Sequence, residues 1–363
     1  TRQQVDLTSV GITQFPSPGP FTLYNASVQV SYALDLFGGQ RRELEGLRAA
    51  VDYQRYELEA ARLSLAANVA TTAIREAGLR AQLADTVAIA EAQQRQLGIM
   101  QQRLKVGGVA RVDVQRQQSE LAQTQALIPG LSQQVDAARH QLAVYTGQTP
   151  ASAQLPEFRL EDLRLPETLP VSLPSELARR RPDIRAAEAL LHQASADIGV
   201  ATANLYPQIS LGGSFGSTAL ESSELGDDRN YRFSFGPLIS WSFPNVFAAR
   251  AQIQAAGARS DAALATFDQT VLTALQETET ALSNYANELD RRAALTEARD
   301  QAARAATLSR QRFNAGADSF LVVLDAERTQ AAADAALAQS DALVTTYQIA
   351  LFRALAGGWQ AED

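Results

Sequence analysis

Apolar residues recur along this chain with two periods. Leu44, Val51, Leu58, Leu65 and Leu79 fall on one seven-residue register, with Thr72 in the remaining place. Val114, Leu121, Ile128, Val135 and Leu142 keep the same spacing in a second stretch, Leu275, Leu282 and Leu289 in a third, and Leu337, Val344 and Leu351 in a fourth. A sustained repeat of seven predicts long helices wound as left-handed coiled coils. The spacing predicts a helix from about Gln40 to Lys105, which at 1.5 Å per residue would be about 100 Å long. That exceeds the width of a globular domain. A further helix is predicted from about Val246 to Phe313, and another after it to about Ala356. Pro129-Gly130 lies inside the second heptad stretch, where a missing donor and a steric clash predict a kink or break.

Elsewhere the period is two, the signature of strands. From Ser27 to Phe37, Val28, Val30, Tyr32, Leu34 and Leu36 oppose Ser27, Gln29, Ser31, Ala33 and Asp35, and Gly38-Gly39 closes the run. Pro207, Ile209, Leu211, Gly213 and Phe215 oppose Gln208, Ser210, Gly212 and Ser214. Tyr231, Phe233, Phe235, Ile239, Trp241 and Phe243 oppose Arg232, Ser234, Gly236, Ser240 and Ser242. The polar loop STALESSELGDDRN joins the last two runs. Residues 1–21 read as a broken strand and a loop ending in FPSPGP. Residues 146–174 hold five of the 13 prolines and form an irregular connector. A helical region containing RRRPDI follows, from Ser175 to Leu205.

Two stretches punctuate the helices. QRLKVGGVARVDVQRQQSEL spans Gln102–Leu121 and QRFNAGADSFLVVLDAERTQ spans Gln311–Gln330. Both open with Gln-Arg-apolar, place a Gly five residues on (Gly107 and Gly316), and lead into a second helix. They are 209 positions apart and read as the tight ends of two helical hairpins made by internal duplication. The segments are then strands over 1–38, a first coiled-coil hairpin over 39–146, a connector with helices over 147–205, strands over 206–245, a second hairpin over 246–356, and a tail over 357–363. The first half lacks the helix and most of the strand that open the second, which predicts a native chain longer at its N-terminus.

Composition narrows the function classes. The 363 residues carry a formal charge of −8 with no Lys/Arg block, which argues against nucleic acid as a partner. The absence of Cys excludes a disulfide framework and a thiolate metal site. His140 and His192 are the only histidines, and neither has a second ligand at helical spacing. Gly212, Gly213 and Gly216 are followed by no Lys-Ser/Thr, so small residues on a strand face explain them better than a phosphate loop. No nucleophile-elbow motif occurs. These readings predict no cofactor, no metal and no enzymatic activity. Arg179 to Arg181 are expected to brace the connector.

No run of 18 apolar residues predicts a transmembrane helix, but barrel strands give no such run. Strands with one apolar, partly aromatic face and one small polar face suit a barrel with lipid outside and a polar lumen. Four strands do not close a barrel, so three copies giving twelve are expected. A sheet packed on the chain's own helices fits less well, because the helices are about five times longer than the strands and run away from them, and a coiled-coil scaffold without a membrane would have no use for Tyr231, Phe233, Phe235, Trp241 and Phe243 on one face.

Several stretches, in their order along the chain, resemble the TolC-like outer-membrane efflux family, in its lipoprotein (NodT-like) branch working with resistance-nodulation-division pumps. They are YALDLFGGQRRELEG, VGGVARVDVQ, LPSELARRRPDIRAAE, ADIGVATANLYPQISL, NAGADSFLVVLDAER and RALAGGW. The resemblance implies a mostly helical protein with a small β part: a homotrimer with a twelve-stranded β-barrel in the outer-membrane lipid and an α-barrel of coiled coils in the periplasm. It implies a passive duct opened at its periplasmic tip by an adaptor (a membrane fusion protein) and an inner-membrane pump. Carried over by position, the gate constrictions are Leu321, Asp325 and Arg328, and the adaptor-docking tip comprises Gly107, Gly108, Val109, Arg111, Gly316 and Ala317. Where some members hold the gate with a Tyr and an Arg, this chain has Phe313 and Asp318, so that lock is expected to be missing, although its acidic partner Asp113 is kept. Arg328 is expected to compensate Asp325 on the same helix face. An N-terminal lipid anchor is expected in a segment preceding these residues. A protein-secretion duct would share the pore and differ only in the pump.

Overall fold

The computed structural model describes residues 2–3, 21–159, 180–241 and 246–355. The loop read over 4–20, most of the connector with the helix start at Ser175, the strand end at Ser242 and Phe243, and the closing AGGW motif lie outside the described residues. The elements are β1 (Arg2–Gln3), β2 (Phe21–Thr22), β3 (Tyr24–Leu34), α1 (Gly39–Lys105), α2 (Arg111–Tyr145), α3 (Pro182–Ala203), β4 (Gln208–Ala219), β5 (Tyr231–Ser240), α4 (Val246–Asn314) and α5 (Phe320–Ala354). The chain clusters into two compact units, Thr1–Tyr53 with Ala187–Phe267, and Gln54–Ala186 with Asp268–Asp363. The duplication is visible in the helix boundaries. α2 and α5 have 35 residues each, and the first helices end at Lys105 and Asn314, the same interval that separates Gly107 from Gly316.

In the first unit β3, β4 and β5 form an antiparallel sheet in that order, and a short β1–β2 ladder lies just before β3. The register keeps like with like. Val28 pairs with Phe215 and Phe215 with Phe233; Val30 with Gly213 and Gly213 with Phe235; Leu34 with Ile209 and Ile209 with Ile239. A slip of one residue would mix apolar and polar positions, so the alternation itself pins the pairing. On the other face Gln29, Ser214 and Ser234 are opposite one another, and the two serine hydroxyls lie 2.8 Å apart.

Several expectations change here. β3 runs from Tyr24 to Leu34, not from Ser27 to Phe37. Asp35 lies beyond the strand, and its carboxylate accepts the backbone N–H groups of Gln40 (3.1 Å) and Arg41 (3.0 Å), capping α1 where helix donors lack internal partners. β4 continues to Ala219, so the first three residues of the STALESSELGDDRN loop belong to the strand. Gly213 keeps the place that the alternation gives it, on the apolar face across from Phe235. Gly216 is set by a close approach, because a Cβ there would lie 2.7 Å from the Ala26 carbonyl oxygen. The start of α1 runs antiparallel to α3 at small residues, with Gly39 beside Ala203, Arg42 across Gly199 and Gly46 beside Ala196. His192, exposed on α3, lies 2.8 Å from Glu45.

In the second unit α2 runs through Pro129-Gly130 as one helix, so of the kink or break expected there the break does not occur. Both residues are exposed, so solvent can reach the stretch where proline leaves a carbonyl without its helix donor. Arg181 is buried and joins three elements: it pairs with Asp183 and Glu277 (both 2.7 Å) and donates to the Ala354 carbonyl (3.2 Å). Burial opposes its charge, but the hydrogen bonds to Asp183 and Glu277 raise its pKa further. Glu76, fully buried, receives Arg80 (2.5 Å) and Arg139 (3.3 Å), and Arg80 also reaches Glu157 in the connector (3.1 Å).

The heptad registers differ in burial. Val114, Leu121, Val135 and Leu142 on α2 are 7%, 5%, 7% and 1% exposed. Leu44, Val51, Leu58 and Leu65 on α1 are 48%, 67%, 51% and 45% exposed in the single chain. The same period therefore marks an internal seam on one helix and an uncovered stripe on the other.

Candidate functional site: the tips of the two hairpins

The turn at the end of α1 follows from its glycines. Gly107 has φ +73°, which side chains disfavour, and its N–H donates to Leu104 O (3.1 Å) while Gly108 N–H donates to Arg103 O (2.8 Å). The second tip repeats these two bonds: Gly316 has φ +75°, its N–H donates to Phe313 O (2.9 Å), and Ala317 N–H donates to Arg312 O (2.9 Å). Each returning helix starts in the same place, after Ala110 or Ser319, without a side-chain cap. Gly107, Gly108, Arg111, Gly316 and Ala317 are exposed, and Val109 is half-buried against the core beneath.

That core joins the two hairpins. Leu97 and Met100 of α1, Val114 and Leu121 of α2, and Phe320, Val323 and Leu324 of α5 form one buried cluster. Phe320, Val323 and Leu324 have the i, i+3, i+4 spacing of an inward stripe. Leu321, Asp325 and Arg328 have the i, i+4, i+7 spacing of another stripe, and all three are exposed. The proposed gate residues therefore share one face, directed away from the core that holds α5.

Their charges pair differently from the sequence expectation. Arg328 Nε donates to Glu120 Oε2 of the other hairpin at 2.8 Å, and its Nη2 donates to the same oxygen. The hydrogen bond with Glu120 raises the Arg328 pKa; attraction to Asp325 is the weakest contribution. Arg328 thus compensates Glu120 first and Asp325 only at longer range. Asp318 is gripped by Arg312 through two contacts, Nε–Oδ2 at 2.6 Å and Nη2–Oδ1 at 3.0 Å. That hydrogen bond, with the added attraction, holds the Asp318 carboxyl below its ordinary range. Phe313 meets Phe320 edge to face at 5.4 Å and lies under the Arg103 guanidinium at 5.9 Å. Asp113 lies 3.7 Å from Arg116 of its own helix.

Sequence reasoning missed Glu120, Arg312 and Arg103. Arg312 left a signal, because a basic residue in the last turn six positions before Asp318 spans a tight turn. Glu120 left none, since 208 residues separate it from Arg328. Among the described residues no His/Cys/Asp/Glu group suits a metal, and no helix is long and apolar enough to cross a membrane.

The family model described as outer membrane efflux protein matches residues 1–148 and 173–357. The chain is similar to the pyoverdine export outer membrane protein OpmQ of Pseudomonas aeruginosa, with 33% identity over 93% of this chain and 71% of that relative. It is similar to nodulation protein T of Rhizobium leguminosarum bv. viciae, with 30% identity over 93% of this chain and 70% of that relative. The solved structure of the outer-membrane channel OprN matches with a TM-score of 0.91 at 34% identity, covering 99% of this chain and 80% of that one.

Proposed function

The chain belongs to the outer membrane efflux protein family, and from that premise we propose that it is the passive exit duct of a tripartite efflux pump. The observation that carries this reading is the sheet face on which Val28, Val30, Phe233 and Phe235 are 67%, 66%, 85% and 76% exposed. An apolar surface of this kind in water carries a large penalty, and lipid removes it. Three copies would close the open sheet into a barrel. The uncovered stripe of Leu44, Val51, Leu58 and Leu65 supports the same assembly, because a neighbouring helix with the same repeat would cover it.

At the other end, the tip residues Gly107, Gly108, Val109, Arg111, Gly316 and Ala317 would meet a periplasmic adaptor linked to an inner-membrane pump. The stripe of Leu321, Asp325 and Arg328 would line the constriction, three copies of each around the axis. Asp113 and Asp318 would act within their own turns, Asp318 as half of the clasp with Arg312.

Native mass spectrometry in detergent tests the assembly: a trimer is expected, and a monomer or dimer overturns it. Planar-bilayer recording tests the gate. Leu321→Ser should raise conductance for every ion, and Asp325→Ala should lower the preference for cations by removing the exposed carboxylates. Wild-type conductance and selectivity in both variants would remove these residues from the gate.

A further inference from the structure

We propose that Arg232 of β5 forms, in three copies, a cationic ring inside the duct near the β4–β5 loop, a binding site for small anionic solutes on their way out. The proposal rests on the barrel reading above. Arg232 is the only charged residue in β3, β4 and β5. A charge within membrane-crossing strands is costly unless it meets water, so a lone one marks a functional position.

The register fixes the face that carries it. Phe233 and Phe235 have the opposite parity and belong to the apolar face. Arg232 is opposite Gly216, and Gly216 opposite Ser27, so its row holds one guanidinium, one glycine and one small hydroxyl. Two rows further along the same face lie Ser31, Gly212 and Gly236. These small neighbours leave Arg232 exposed. Among the described residues its guanidinium meets no carboxylate. That sets it apart from Arg312 and Arg328 at the tips, each held by an acid.

The dimensions let such a ring act. Twelve strands spaced about 4.8 Å apart and tilted about 40° enclose a circumference of about 75 Å, a radius of about 12 Å at the backbone. Side chains narrow the lumen further, and at about 0.15 M salt a charge is felt over about 8 Å. Three Arg232 guanidinium groups at one height therefore put their field across the opening, and walls of low dielectric concentrate it. Arginine rings suit anions, which they attract and hold by charge-assisted hydrogen bonds. The ligand class is a small solute carrying a carboxylate, sulfonate or phosphate.

The test uses the full chain as a channel in planar bilayers under a KCl gradient. The chain has no Cys, so Arg232→Cys introduces a single thiol per copy. The ratio of potassium to chloride permeability should rise severalfold in that variant. It should rise further once a methanethiosulfonate reagent adds a sulfonate to the thiol, and return toward wild type once one adds a trimethylammonium group instead. The rise is opposite in sign to the change expected for Asp325→Ala, so ring and gate are read separately. Phe233→Cys, on the lipid face, should resist both water-soluble reagents. A thiol at position 232 that resists them, or that reacts without moving the ratio, overturns the ring alone. Reaction at position 233 overturns the barrel reading itself, and the ring with it.

Discussion

The two hairpin tips share a backbone and differ in almost everything attached to it. Gly107 and Gly316 take the same left-handed conformation, close the same pair of hydrogen bonds and start the next helix at the same distance. Around them, Asp318 of the second tip grips Arg312, whereas the first tip has Val109 in the place of Asp318. Phe320 begins α5 inside the core, whereas its counterpart Arg111 begins α2 in solvent. A tight turn depends on a few local bonds, so duplication preserves it as long as the glycine remains. Side chains answer to their surroundings, and the two tips have different surroundings.

The largest effect expected from this contrast is at the two equivalent first residues. Phe320→Ala should cost about 3–5 kcal/mol by emptying a site at the centre of the shared core. Arg111→Ala should fall within about 0.5 kcal/mol of wild type. Denaturant unfolding of the detergent-solubilised protein measures both, and equal losses would erase the distinction between the tips.

Substituting the turn glycines should instead treat the tips alike. A Cβ at Gly107 or Gly316 meets nothing within 4 Å, so for Gly107→Ala and Gly316→Ala the cost is the left-handed backbone, about 1–2 kcal/mol at each. Amide exchange at Gly108 and Ala317 should accelerate to a similar degree. A large difference between the two would show that the turns are supported by different contacts.

A smaller effect is expected where the hairpins meet. A double-mutant cycle on Arg328 and Glu120 should give a coupling of about 0.5–1 kcal/mol, because Arg328 remains half exposed. Additivity would mean that the pair contributes nothing to joining the hairpins.

The smallest effect is one of pH. The folded-state pKa of Asp318 lies below its ordinary value of 3.8. The clasp with Arg312 therefore contributes its full stability above that value and loses it as pH falls through the lowered one. Opening at Ala317 should increase over that acid range and become pH-independent in Asp318→Asn. Gly108, on a tip without such an acid, should show no comparable step, and a matching step there would break the contrast.

The periods of seven and two, the two Gly turns and the 209-residue offset were enough to place the long helices, the strands and the hairpin ends. These depend on neighbours close in sequence, and the positive φ at Gly107 and Gly316 needs nothing more remote. Sequence reasoning also placed Asp325 and Arg328 on one helix face, since a spacing of three fixes it. It failed where the answer depended on distant residues. Whether Pro129 breaks α2 or leaves it continuous depended on whether that face meets solvent, and the partner of Arg328 on which residue α2 presents to α5. The sharpest case is the heptad register of α1: by sequence, Leu44 to Leu65 and Val114 to Leu142 are the same pattern. Only packing decides that the second seam closes within the chain and the first is left open, because period specifies a face and not what covers it.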